Sequence, residues 1–112
     1  MTSAKNPEMV RNNLFGGVGS VRVTSLLSGG AEPFTAILAC ELTPAGSVGA
    51  HRQEEFPEII LGCSGTGSAT IDGVTHPLEA GAALFLPLGS VLALQNLSST
   101  APLVYFIVKA RS

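Results

Sequence analysis

Residues 45–65 read AGSVGAHRQEEFPEIILGCSG, and residues 81–96 read GAALFLPLGSVLALQN. Each block is a short apolar run bounded by Gly or Pro, without the 3.6-residue spacing of a helix face. In the first block His51 and Gln53 are two apart on an extended segment, so both point to one face. Leu92 and Leu94 alternate in the same way in the second. If the His51 face lines an interior, His51, Gln53 and Glu58 converge there. The glycines and Pro87 shape the turns that bring the blocks together.

The same punctuation extends outward. Gly, Pro, Asn and Asp recur through the chain at intervals that suit short strands. Strands are predicted over 21–27, closed by Ser28-Gly29-Gly30, and over 34–42, closed by Thr43-Pro44-Ala45-Gly46. Others are predicted over 56–61, 67–71, 75–78, 83–86, 91–94 and 103–108. Asp72-Gly73 is a dipeptide that favours a tight hairpin turn. With about eight strands and no crossover helix, the expected fold is all-β and antiparallel, closed into a barrel or jelly roll that hides its edges. Residues 1–18 are expected to form an N-terminal arm, and 19–112 a single barrel domain.

Composition bounds the function. The chain has 112 residues, 46% of them hydrophobic and only 12% charged, with a net charge of −2. A domain of this size needs no disulfide or metal to fold. So little charge predicts an apolar surface given to a homodimer. The scattered Lys and Arg form no basic stripe, which argues against nucleic acid as a partner. No stretch approaches the length of a membrane helix, and the N-terminus carries no apolar run of signal-peptide length. The expected compartment is the cytoplasm, with no membrane partner. Cys40 and Cys63 fit free thiols there, and sequence leaves a disulfide between them open.

The two blocks resemble the paired motifs of the cupins, in particular small single-domain cupins of type 2 (RmlC-like). The first family motif runs Gly, five residues, His-x-His, three or four residues, Glu, six residues, Gly. Here Ala45 stands at the first Gly, His51-Arg52-Gln53 at His-x-His, then Glu58 and Gly65. The second runs Gly, five residues, Pro-x-Gly, two residues, His, three residues, Asn. Gly81, Pro87, Gly89 and Asn96 match, and Leu92 stands where the second motif has its His. The resemblance implies a cupin barrel with degenerate metal-binding motifs.

In a cupin with full motifs these positions hold a transition metal. Here they hold His51, Gln53, Glu58 and Leu92. The candidate metal ligands are therefore His51, Gln53 and Glu58, but a neutral amide is a poor ligand for such metals and Leu is none. The expectation is no resident cofactor, with a divalent transition metal as the alternative. His51 and Glu58 are the candidate catalytic pair: an imidazole titrates near neutrality, and a carboxylate beside it fixes its tautomer. The expected function is binding of a small organic ligand by His51, Gln53, Glu58 and Leu92, with or without metal-free acid–base chemistry. The alternatives are a metal-dependent dioxygenase, isomerase or lyase, and a non-catalytic structural or regulatory module. His76 is expected near a strand end, in solvent and away from the site. Tyr105 and Lys109 share parity on the last strand, which by itself assigns neither a role.

Overall fold

The computed structural model describes residues 8–27 and 31–111. The turn predicted at Ser28-Gly29-Gly30 and the first seven residues of the expected arm lie outside the described residues. Ten strands follow in order: β1 (Glu8–Asn12), β2 (Ser20–Ser25), β3 (Phe34–Leu42), β4 (Ser47–Arg52), β5 (Glu58–Ser64), β6 (Thr66–Ile71), β7 (Val74–Glu79), β8 (Ala83–Leu86), β9 (Val91–Asn96) and β10 (Leu103–Ala110). They form a six-stranded sheet in the order β1-β2-β3-β10-β5-β8 and a four-stranded sheet in the order β4-β9-β6-β7. All pairs are antiparallel. This is the expected all-β jelly roll.

Period-two alternation places the core between the sheets. Glu58 and Ile60 of β5 are buried while Ile59 and Leu61 are exposed. On β9, Leu92, Leu94 and Asn96 are buried, and on β10, Leu103 and Tyr105. Cys40, Leu42, Ala69, Leu78 and Leu86 complete the interior with Val21 and Val48. Asp72-Gly73 makes the predicted hairpin between β6 and β7, with both φ angles positive (49° and 83°). That is the backbone of a type I′ turn.

Two strands are absent from the sequence expectation. β1 falls in the segment read as an arm. All five of its residues are exposed, so its sequence carries no one-sided alternation. β4 escapes because of a bulge. Val48 pairs with Leu94, yet His51 pairs with Leu92, so three steps on β4 match two on β9. The extra residue breaks the alternation and turns both Val48 and His51 inward.

The motif residues that are not site residues hold the barrel together. The buried Asn96 amide donates to the carbonyls of Leu42, Thr43 and Ala101, and its oxygen accepts from the Ser98 N–H. Ala45 sits at φ 58°, in the left-handed region. The family's Gly at this position is thereby explained, since an L side chain is strained there.

Candidate functional site

The site forms where the end of β4 meets the loop before β9. Gln53 N–H donates to Ser90 O at 2.9 Å, and Gly89 N–H donates to Gln53 O at 2.7 Å. These two bonds join the two sequence blocks. Behind them the sheets part around a cavity of about 940 Å³. His51, Gln53, Glu58 and Leu92 all line it. Most of its remaining wall is apolar, with Leu38, Val48, Leu94 and Ile107 among the lining residues.

The hydrogen bonds of His51 fix its tautomer. Nδ1 lies 3.0 Å from Gly49 O, and a carbonyl only accepts, so Nδ1 carries the proton. Nε2 is then the acceptor, and it lies 3.3 Å from the Gln53 side-chain nitrogen, which donates to it. Phe15 stacks on the imidazole, ring centroids 3.9 Å apart and planes at 12°. This contact needs glycine at position 49, because a Cβ there would collide with the Phe15 carbonyl. The 3₁₀ turn Leu14–Gly16 thus lies directly on β4.

The expected hydrogen-bonded pairing of His51 with Glu58 is corrected by these contacts. Both line the same cavity, but Gly49 and Gln53 take the imidazole nitrogens. Glu58, 5% exposed, instead meets Lys109, with Nζ 3.3 Å from Oε2. The two are direct partners in the β5–β10 ladder, so the sheet register brings them together.

Further along the same face of β10, Tyr105 pairs with Cys40 of β3. Burial pushes the Cys40 thiol up to about 12, and the Glu58 carboxylate adds to the shift. Burial also raises the Tyr105 phenol, with Cys40 adding to it. Both groups are thus neutral at physiological pH, and Cys40 is no thiolate nucleophile. Cys40 and Cys63 are free, the first buried and the second exposed. His76, half-buried on β7 opposite Ala69, is not among the cavity residues.

Residues 38–109 match the Cupin domain family, Cupin_2. The chain belongs to the cupin family. Dimethylsulfoniopropionate lyase DddW of Ruegeria pomeroyi is 41% identical over 71 residues, which cover 62% of this cupin and 46% of that enzyme. The match thus spans less than half the length of that relative. The crystal structure of a predicted oxalate decarboxylase from Thermotoga maritima superimposes with a TM-score of 0.86 at 27% identity, covering 96% of this chain and 94% of that one. A Cupin 2 conserved barrel domain protein from Salinispora arenicola gives 0.70 at 26% identity, over 82% of this chain and 76% of that one.

Cupins often hold a metal, and the residues of this cupin do not fit one. Among the described residues no three His, Cys, Asp or Glu side chains gather as a ligand set. Of the four motif positions, Glu58 is paired with an ammonium, Gln53 turns an N–H toward the imidazole, and Leu92 is hydrocarbon. That leaves one imidazole, His51, whose Nε2 is itself engaged by Gln53.

Phe15, Lys109, Cys40 and Tyr105 enter the cavity wall without having been assigned to it from sequence. For Lys109 a signal existed, since it shares inward parity with Tyr105 on β10. Phe15 carried none, because its placement depends on a left-handed backbone (φ 52°) and on two segments distant in sequence.

Proposed function

We infer that this cupin domain binds a small organic ligand in the barrel cavity and uses His51 as its acid–base group, without a transition metal. One observation carries the reading. In a largely apolar cavity of ligand size, the His51 tautomer is set by Gly49 so that Nε2 is a hydrogen-bond acceptor and a base. Gln53 holds that nitrogen at 3.3 Å, a long bond that a ligand O–H or N–H can replace. Leu92 supplies apolar surface opposite the ring, and Glu58 with Lys109 supplies a charged pair on the facing wall. The chain acts as a two-fold dimer in this reading.

The experiment is a titration of small carboxylates and carbonyl compounds, followed by NMR shifts of the His51 ring. Binding that moves those signals supports the reading. A panel that leaves them unmoved, while every ligand also fails to raise the melting temperature, overturns it.

A second reading is a lyase, favoured by the 41% identity to a dimethylsulfoniopropionate lyase. His51 Nε2 would then take the proton from the carbon beside the carboxylate while the C–S bond breaks, its electron pair leaving with the neutral sulfide as the C=C bond forms. Formation of an alkene-containing product from a sulfonium-substituted carboxylate, lost in His51→Ala, is the observation that would select it.

A further inference from the structure

Glu58 stands at the motif glutamate, where a cupin with full motifs has a metal ion as counter-charge. A carboxylate 5% exposed needs such a counter-charge. Here the Lys109 ammonium supplies it, 3.3 Å away and fixed by the β5–β10 register. Among the described residues the other ion pairs, Arg22 with Glu8 and Glu41, and Arg111 with Glu32, join exposed side chains. The Glu58–Lys109 pair is the one set into the cavity wall.

Lys109 has capacity to spare. Its ammonium has three N–H donors, and a third of its side chain remains exposed. Next to it in the sheet is Ala36, its partner on β3, which lines the same cavity. The other charged residues of the cavity lining, Arg11, Arg52, Glu54 and Glu55, are exposed, where solvent and salt screen them.

We propose that Lys109 stands in the metal's place as the fixed cation of this barrel and binds the carboxylate of an organic acid. The proposal rests on the reading that the cavity takes a small organic ligand, and it narrows that ligand to an anion. Glu58 holds the ammonium in position, leaving two of its N–H donors for the ligand.

The test uses propionate and its neutral isostere propionamide as probes, followed by NMR on the intact chain. The wild type is expected to bind propionate at least tenfold more tightly than propionamide. Lys109→Met should abolish that preference. Because Lys109→Met strands a buried carboxylate, the Lys109→Met/Glu58→Gln double variant repeats the measurement with no stranded charge. A preference that survives in both variants overturns the proposal, and the broader reading stands if His51→Ala still weakens propionamide, whose N–H the Nε2 atom accepts. No binding of either probe to the wild type overturns both. In a Leu92→His background, adding Lys109→Met should raise Co²⁺ affinity at least tenfold. Equal Co²⁺ affinity with and without Lys109 would show that the ammonium is not in the metal's place.

Discussion

Leu92 stands directly across the β4–β9 ladder from His51. It is 1% exposed, and its side chain belongs to the packed core. The position that pairs two imidazoles in the family motif therefore pairs an imidazole with hydrocarbon here.

From this pairing, the purified protein should carry well under one equivalent of transition metal by elemental analysis. Leu92→His places a second imidazole on the residue opposite His51, with Cβ atoms about 4.5–5.5 Å apart, and should raise Co²⁺ or Ni²⁺ affinity. Calorimetry on that variant checks it. Stoichiometric metal surviving dialysis of the wild type, or no gain in the variant, would count against this account of the site.

His51→Ala should leave the fold intact, since the imidazole is half-buried at the cavity wall rather than in the core. It should weaken binding of a ligand that donates an O–H or N–H to Nε2 by about 0.5–1.5 kcal/mol, the range for a neutral hydrogen bond. Melting curves and a ligand titration check both halves. Lost stability with unchanged binding would remove His51 from the site.

Alkaline pH should destabilise the domain through Cys40 and Tyr105. The Cys40 thiol is raised from 9.0 to about 12 on folding, so the unfolded chain loses that proton first. The stability it contributes is therefore complete below pH 9 and lost as pH climbs toward 12, at up to about 1.4 kcal/mol per pH unit. Tyr105 acts in the same direction from pH 10 upward. Melting temperature against pH should fall less steeply in Cys40→Val and in Tyr105→Phe than in the wild type. Coincident profiles would exclude the mechanism. By the same burial, one thiol, Cys63, should react with a thiol reagent in the native protein and two after unfolding.

The outer face of the six-stranded sheet carries an apolar row from Ile37 through Val108 and Ile59 to Phe85, each paired with the next across β3, β10, β5 and β8. Phe85 is 62% exposed. A two-fold dimer packed through this face is expected, and Phe85→Glu should shift it to monomer. Light scattering showing a wild-type monomer at micromolar concentration would refute this.

The alternation of β5, β9 and β10 and the Asp72-Gly73 turn made the fold legible, because each is a local signal with a single geometric meaning. Shared parity likewise foretold that His51 and Gln53 share a face. The partner of Glu58 was not legible in the same way. Lys109 lies 51 residues away, and which residue of β10 meets it depends on register, which no local pattern encodes. The bulge at β4 had a visible trace in Gly49, but a glycine alone does not say whether a strand bulges or ends. Phe15 was hidden for a different reason: it reaches the site from a segment with no periodicity at all.

The stack of Phe15 on His51 bears on which directions remain open around the ring. A nitrogen lone pair lies in the imidazole plane, whereas the stacked phenyl ring covers one π-face. The cover therefore leaves proton exchange at Nε2 unobstructed and closes that face to an aromatic or cationic guest. It also resists tilting of the ring about its Cβ–Cγ bond, a soft torsion in a free histidine. The stack thus fixes the direction of the ring nitrogens as well as their place.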